Sequence, residues 1–321
     1  MKIEKVNKGT ELEGKLNAFV ERHAIVFNSP AWLSCFPEAQ VSRCAICNKN
    51  GEVIGCFVYY TFTKAIFKFV INLPCTPDID LFYLNPSNSV VGRNTFNKDI
   101  VSLVADYFNH IKADLRSINL PAFVTDTQPF IWKKYRATSR FTYVLDLSKN
   151  EKELYDNLAS EKRQSLNKAQ KEQLEIMPSS DYAAVHELAV KSLKRNRQYK
   201  NPDIIKNILL RYADANNSFA FVARKNGKII ASTFCLIYRN RAIYLFGGFD
   251  DAQKSKGAGV SCMWQSILKA KALGLSEFDF EGSMNESIER YFREFGGQLV
   301  PYSNVEKVGT ALELVMKGKK R

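Results

Sequence analysis

The stretch FDFEGSMNESIERYFREFGG, residues 278–297, contains side chains of the kind that move protons. Alternation along SEFDFEGS places two phenylalanines on one face of a strand and the carboxylates of Asp279 and Glu281 on the other. Two carboxylates that point away from an apolar layer can take a proton from a reacting group. Asp279 and Glu281 are therefore candidate catalytic residues.

The helix predicted after this strand carries an apolar stripe and one arginine outside it. Ser283 and Glu286 have the spacing of a capping box and predict where the helix starts. Tyr291 lies in the stripe, which predicts a core position, although its hydroxyl can also serve as an acid or a substrate contact. Arg293 lies about 140° from the centre of the stripe, so it faces solvent or a cleft. The stripe consists of Ile288, Tyr291, Phe292 and Phe295.

A glycine-rich turn, KSKGAG, precedes another predicted helix. Lys254, Gly257 and Gly259 fit the pattern K/R-x-x-G-x-G at a helix N-terminus, where free amides and the helix dipole can hold a phosphate group. Glycines in a turn also serve simply to supply positive φ. The candidate cofactor-binding residues are Lys254, Lys256, Gly257, Ala258 and Gly259.

These candidates require a particular order of elements in the second half of the chain. Periodicity and turn signals predict a strand, helices, an antiparallel three-stranded meander, a helix, a strand, a helix and a strand. The glycine turn joins the meander to the next helix. The predicted segments are 141–147, 151–172, 174–178, 181–196, 202–214, 219–249, 259–274, 276–280, 286–295 and 298–303.

Two internal matches indicate a tandem duplication. Residues 46–56 recur as 222–232, each with Asn-Gly between β-rich apolar runs, which is a strong hairpin signal. Residues 118–147 match 278–307 as strand, loop, aromatic helix and strand. Two such units at this length predict paired domains, 1–150 and 151–321, with a boundary near Asn150.

The formal net charge of the 321-residue chain is +13, and 45% of its residues are hydrophobic. The apolar fraction supports packed cores. The charge attracts polyanions, so nucleic acid, phosphate-rich cofactors, nucleotide-linked substrates and anionic membrane surfaces all remain partners to consider. Basic clusters occur at 160–171 and 191–200, and solvated helix faces explain them equally well.

Other classes of protein lack their sequence signals. No apolar run is long enough to span a bilayer and the N-terminus lacks a signal peptide, so a cytoplasmic protein is expected. Cys44 and Cys47 form a CxxC pair without a second pair at zinc-site spacing, and we expect core thiols and no metal. No G-x-S-x-G occurs and Cys262 lies in an apolar helix pattern, so no covalent nucleophile is predicted.

The order of elements, the glycine turn and residues 278–297 together resemble the GNAT acyltransferase fold. They resemble more closely its tandem branch, the Fem-type peptidoglycan aminoacyltransferases and the BioF-like acetyltransferase domains. Residues 143–171 also look like the Fem-type entry strand and basic helix, and the resemblance is clearer over 141–307 than over 1–140. It implies an α/β (α+β) fold of two tandem GNAT-like domains, each a mixed, mostly antiparallel sheet flanked by helices.

The resemblance also implies roles for residues. The turn from Lys254 to Gly259 would hold the pyrophosphate of coenzyme A, and the first domain, where 85–101 lacks such a turn, would have lost its own donor site and would shape an acceptor cleft. Fem-type relatives carry a lysine where this chain has Arg293. Arginine stays protonated and cannot act as a base, but it can stabilise an oxyanion or a phosphate.

The leading hypothesis is an N-acyltransferase that moves an acyl group, acetyl in the first instance, from acyl-CoA to an amino group of a cell-envelope or sugar-nucleotide precursor. Direct transfer would need the amine deprotonated, with Asp279 and Glu281 assisting. A second hypothesis is a Fem-type aminoacyltransferase that uses aminoacyl-tRNA on a peptidoglycan precursor, which the basic helices favour. A third, from another class, is a non-catalytic protein that binds polyanions.

Overall fold

The chain divides after Arg140 and again after Val300 in the computed structural model, which describes residues 1–195, 201–253, 255, 257–282 and 284–318. One compact unit combines Met1–Arg140 with Pro301–Arg321, and the other is Phe141–Val300. The predicted division into 1–150 and 151–321 therefore differs from these units mainly at the C-terminus, which belongs with the first unit.

The first part of the chain begins with two helices between its first two strands and then forms an antiparallel hairpin and a long helix. Its elements in chain order are β1 (Lys2–Lys5), α1 (Glu11–Arg22), α2 (Pro30–Leu33), β2 (Val41–Cys47), β3 (Val53–Lys64), β4 (Phe67–Ile71), β5 (Phe82–Tyr83), α3 (Val90–His110), β6 (Leu115–Asn119), α4 (Gln128–Trp132) and β7 (Arg136–Asp146).

The second part has the predicted order: helices, then the three-stranded meander, then helices that alternate with strands. It comprises α5 (Glu151–Asp156), α6 (Ser160–Lys171), β8 (Glu175–Pro178), α7 (Tyr182–Arg195), α8 (Pro202–Asn207), β9 (Ser218–Lys225), β10 (Lys228–Tyr238), β11 (Arg241–Phe249), α9 (Ala258–Ala272), β12 (Glu277–Asp279), α10 (Glu286–Arg293), β13 (Gln298–Val308) and α11 (Thr310–Gly318). Across the described ranges, every helix is too short or too polar to span a membrane.

The sheet of the first unit has the order β1-β2-β3-β4-β6-β13. The short strand β5 pairs with β3 at Gly55 and Cys56. All pairs are antiparallel except β4 with β6. The Asn50-Gly51 turn joins β2 to β3 as predicted, with Gly51 at φ +79°. Helix α3 packs its apolar face against this sheet around Phe57 and Phe108.

The sheet of the second unit has the order β7-β12-β11-β10-β9-β8. Among the strand pairs of its described residues, β11 and β12 alone run parallel. Helix α7 covers one face, where Tyr182 contacts Phe234, while α9 covers the other, where Cys235 joins a core with Val260 and Met263. The predicted fold class, a mixed and mostly antiparallel sheet flanked by helices in each unit, is confirmed.

The last strand of each predicted repeat completes the sheet of the other. Strand β7 follows α4 in the first repeat, yet it pairs with β12 through Val144 and Asp279. Strand β13 follows α10 in the second repeat, yet it pairs with β6 through Val305 and Ile118. This exchange explains why residues 301–321 belong with the first unit.

The single helix predicted over 151–172 is two helices, α5 and α6. Asn150 and Glu153 form a capping box that starts α5. The Arg163 guanidinium donates to the carbonyls of Asp156 and Leu158 at the break, and the Ala159 amide donates to the Glu294 carbonyl at 2.9 Å. These bonds satisfy backbone groups that the break would otherwise leave unpaired.

Candidate functional site

Strand β11 is paired with β12 along only its first three residues. Arg241–Ile243 pair with Glu277–Asp279, and β11 then continues to Phe249 while β12 ends. Phe234 lies opposite Phe246 and Cys235 opposite Tyr244, so Leu245 is an extra residue that forms a β-bulge. Within the described residues, the β12 side of β11 is therefore unpaired beyond Ile243, and its backbone groups are available to a ligand.

Helix α9 has no side-chain cap at its N-terminus. Gly257 occupies the N-cap position, and no side-chain hydrogen bond caps the helix there. The amides of a helix's first turn have no partner within the helix, and the helix dipole makes this end positive. The position can therefore hold an anionic group. Lys254 and Lys256, predicted to add charge here, lie outside the described residues.

The two glycines of the turn have different surroundings. A Cβ added to Gly257 would lie 2.5 Å from the carbonyl oxygen of Ser165 and 2.8 Å from the Cβ of Ala169, so Gly257 allows the turn to pack closely on α6. Its φ of −83° is open to any residue. A Cβ on Gly259 would meet only the Tyr291 hydroxyl, at 3.9 Å. Gly259 therefore keeps open the space in front of Tyr291.

Tyr291 of α10 places its hydroxyl beside the first turn of α9. Its ring centroid lies 5.4 Å from that of Phe295 and 3.8 Å from the Lys162 ammonium. Burial raises the pKa of Tyr291 well above its ordinary value, and the neighbouring Tyr244 adds to the effect. The Tyr291 hydroxyl has no hydrogen-bond partner in the part of the chain that the structure describes. It is a neutral donor at physiological pH.

Two further groups, one from β11 and one from α9, lie close enough to affect the pKa of Tyr291. Tyr244, at the bulge, packs its ring 5.8 Å from Phe292, and burial raises the pKa of its hydroxyl. Cys262 is fully buried, and burial raises the pKa of its thiol. A thiol that is both enclosed and protonated is a poor nucleophile.

The Asp279 carboxylate is bonded to the protein through both oxygens. Its Oδ1 accepts hydrogen bonds from the Thr142 hydroxyl at 2.6 Å and the Glu281 amide at 2.9 Å, and its Oδ2 lies 3.0 Å from Arg241. The residue is 6% exposed. Desolvation raises the pKa of Asp279, while the Thr142 hydrogen bond and the Arg241 charge oppose the rise. Asp279 thus joins β7, β11 and β12, and its proposed part in proton removal stays a prediction.

Glu281 has a different setting from Asp279. It follows the end of β12 with φ of +58°, a left-handed conformation that costs energy for a residue other than glycine. The side chain is half-buried, and its charge contributes to the raised pKa of Tyr244. Glu281 is therefore the candidate carboxylate whose field reaches the tyrosine at the β11 opening.

Arg293 lies on the outward face of α10, as its angle from the apolar stripe predicts. Its side chain is 58% exposed, and its Nε lies 3.0 Å from Glu289 one turn earlier. The Tyr143 hydroxyl donates to the same Glu289 carboxylate at 2.6 Å. Arg293 is thus a fixed surface charge, linked through Glu289 to β7.

The start of α10 differs from the predicted capping box. The helix begins at Glu286, and the Asn285 side chain accepts hydrogen bonds from the amides of Ser287 and Ile288, so Asn285 is the N-cap. Ser283 lies outside the described residues. Asparagine is among the strongest N-cap residues, and here it takes the position that the prediction gave to serine.

Residues 158–293 match the family model of the acetyltransferase (GNAT) domain. The matched segment is a GNAT acetyltransferase domain. The match includes α6, the start of α9, both candidate carboxylates and Tyr291. The prediction of a GNAT-superfamily acyltransferase is confirmed, and the matched residues lie wholly within the second unit.

Solved structures share the fold over nearly the whole chain. FemX is 13% identical with a TM-score of 0.62, covering 94% of this chain and 96% of its own. A tandem GNAT protein from the clavulanic acid biosynthesis pathway is 10% identical with a TM-score of 0.53, covering 96% and 98%. L-PGS from Bacillus licheniformis is 12% identical with a TM-score of 0.50, covering 94% of each. No curated protein sequence matches the chain.

Proposed function

We propose that this GNAT protein transfers an acyl group, acetyl in the first instance, from acyl-CoA to an amino group of a cell-envelope or sugar-nucleotide precursor in the cytoplasm. One observation supports this most directly. The N-terminus of α9 has no side-chain cap, the protonated Tyr291 hydroxyl lies beside its first turn, and β11 of the same unit loses its partner β12 after Ile243. An anionic donor group and a leaving group would find complementary partners there.

The donor pyrophosphate would bind the first-turn amides of α9. Gly257 supplies no side chain to cap these amides, and the lysines at 254 and 256 would add attraction for phosphate. The acyl group would extend along the unpaired edge of β11, whose amides can bind an extended chain. Ala258 and Gly259 would lie closest to the phosphates in this arrangement.

The transfer would proceed by direct attack. The amine nitrogen bonds to the acyl carbon while the carbon–sulfur bond breaks, and an amine proton passes to Glu281. The leaving thiolate takes the Tyr291 proton, and the proton held by Glu281 returns to Tyr291 through solvent before the next turnover. Burial raises the pKa of Tyr291, so its hydroxyl carries that proton at neutral pH. Both Asp279 oxygens already accept bonds, so we assign it a supporting part. Arg293 would contact a phosphate of the acceptor.

The first unit would have no donor site of its own. Helix α3 holds the position in the first unit that α9 holds in the second, between the hairpin strands and the short strand that follows. Its N-terminus is capped, because the Gly92 amide donates to the Ser89 hydroxyl at 3.0 Å. A capped helix end offers fewer free amides to a phosphate than the uncapped start of α9.

Donor binding is tested by thermal shift with coenzyme A and acetyl-CoA. At about 100 times its dissociation constant, a ligand that binds only the folded protein adds about 2.7 kcal/mol, which appears as a rise of several degrees. We expect Gly259→Leu to abolish the rise, because its side chain would fill the open space before the Tyr291 hydroxyl. Ala272→Leu, at the exposed end of the same helix, is the matched control and should keep the rise.

The outcomes separate the donor hypotheses. Absence of any rise at millimolar coenzyme A would exclude this donor assignment. An equal loss of the rise in both leucine variants would place the ligand away from the start of α9.

Aminoacyl-tRNA is the second candidate donor, and exposed basic residues on α6 favour it. Lys168 and Lys171 face solvent on the helix that packs under the α9 turn. The same site would then form an amide from an ester in place of a thioester. Phosphate neutralisation by such side chains dominates affinity for nucleic acids.

A further inference from the structure

Lys162 is a buried lysine beside the site, and the transfer chemistry above gives it no part. It lies in the first turn of α6 and is only 5% exposed, although lysine is among the residues least often buried. Its Nζ lies 3.1 Å from the Glu294 carboxylate. The same atom lies 3.8 Å from the ring centroid of Tyr291 and 5.0 Å from that of Phe295.

The surroundings of this ammonium are mostly aromatic. The Glu294 carboxylate pairs with it and also binds Arg290 at 2.9 Å, so the negative charge is shared. Burial lowers the pKa of Lys162, and Glu294 opposes that effect. An ammonium group has three N–H donors. Those that do not donate to a carboxylate are attracted to the face of an aromatic ring. An apolar side chain of similar size would pack here without a buried charge.

Helix α6 sets the position of both parts of the site. Ser165 and Ala169, further along α6, contact the Gly257 turn that starts α9. Lys162, on the same helix, contacts the ring whose hydroxyl lies in front of Gly259. A single rigid element therefore fixes the distance between the helix end and the tyrosine.

We propose that Lys162 is a positioning residue for Tyr291. Its ammonium, held by Glu294, fixes the ring so that the hydroxyl remains beside the first turn of α9. The catalytic consequence of this contact rests on the function proposed above, whereas the contact itself does not.

The first test measures ring mobility and needs no donor. The full chain carries 3-fluorotyrosine at position 291, and fluorine NMR spectra are recorded over a range of temperatures. In the parent we expect a fixed ring without exchange broadening. Lys162→Met keeps the length of the side chain but removes its charge, and should give a mobile ring with temperature-dependent broadening. Lys168→Met, exposed on the same helix, is the matched control and should leave the spectrum of the parent unchanged.

The second test is a double-mutant cycle on acyl transfer. Lys162→Met should lower kcat by roughly tenfold to a hundredfold, as misplacement of a reacting group does, with a smaller change in the KM of the donor. In a Tyr291→Phe background the same substitution should have no further effect, because no hydroxyl remains to be positioned. Multiplied losses in the double variant would overturn the proposal, since a general packing defect acts independently of the hydroxyl.

The two tests distinguish this proposal from the proposed function. A fixed ring in Lys162→Met overturns the positioning role whichever donor binds. A mobile ring in Lys162→Met, together with no coenzyme A binding by the parent, supports the positioning contact and rejects the donor. If Lys162→Met does not fold, Glu294→Gln, which removes the counter-charge at nearly constant volume, takes its place with the same expected spectra.

Discussion

The Asp279 carboxylate combines strong desolvation with three bonded neighbours, and desolvation dominates its pKa. Arg241 lies 3.0 Å away, but it is partly exposed and also binds Glu277, so its field on Asp279 is diluted. The balance is unusual for an aspartate in an ion pair, because pairing ordinarily lowers the pKa. It has a measurable consequence for stability.

The stability of the protein should fall with rising pH because of Asp279. With a raised folded pKa, the folded state binds more protons than the unfolded state above the ordinary pKa of about 4, so the free energy of unfolding falls until pH passes the folded pKa. Asparagine does not titrate. Urea unfolding should therefore show the parent losing stability relative to Asp279→Asn across that window and a constant difference above it. A difference that grows in favour of the parent would mean that the Arg241 pair outweighs desolvation.

The sequence predicted which face of β12 carries the Asp279 side chain, but not which residues contact it. Alternation put the Asp279 side chain opposite the Phe278 and Phe280 layer, as observed, but Thr142 and Arg241 come from other strands and leave no local signal. Lys162 and Tyr244 were missed for the same reason. Lys162 lies in a run of charged and polar residues, and Tyr244 lies in an apolar strand. The local sequence around each residue does not show which side chains it contacts.

At the scale of elements, the contact between α6 and the α9 turn depends on one missing Cβ. Gly257 lies against backbone and Cβ atoms of α6, which cannot move aside as a flexible side chain would. The sequence predicted the glycine pattern correctly as a helix start. It could not separate a glycine needed for packing from one that keeps space open, because the neighbour lies about ninety residues earlier in the chain.

Alanine at these two glycines should change stability in opposite directions. Gly257→Ala should lower the free energy of unfolding by about 1–3 kcal/mol, the usual cost of overpacking. Gly259→Ala should raise it by roughly 0.5–1 kcal/mol, because alanine is the better helix former and the space is open. Urea denaturation of both variants measures the difference. Equal stabilities would show that α6 and α9 are not in close contact at Gly257.

At the scale of the whole molecule, element order was predictable from the sequence while strand partners were not. Period-two patterns identified β7 and β13 as strands, and the Asn-Gly turns fixed two other pairings, the β2–β3 and β9–β10 hairpins. Hairpin pairing is local, but the partners of β7 and β13 are distant in the chain and the pattern is the same whichever sheet receives them. The exchanged strands therefore changed the division into units without changing the fold class.

The net charge of +13 also belongs to this scale, since only exposed cations can bind a polyanion. On α6 the structure turns Lys162 and Arg163 inward, leaving Lys168 and Lys171 as exposed lysines of the predicted basic cluster. Residues 196–200 of the second predicted cluster lie outside the described residues. Binding of tRNA through α6 would thus depend on about two charges rather than on the whole helix.

Replacing Lys168 and Lys171 together with glutamine should weaken tRNA binding and reduce the slope of log affinity against log salt by about 1–2, if α6 contacts the donor. Fluorescence anisotropy with total tRNA between about 50 and 200 mM salt measures that slope. Lys49→Gln with Lys64→Gln removes the same charge from the first unit and should change it little. An equal reduction of this slope in both double variants would show a diffuse electrostatic attraction without a binding site on α6. That result would remove the observation that favours aminoacyl-tRNA and leave acyl-CoA as the donor to pursue.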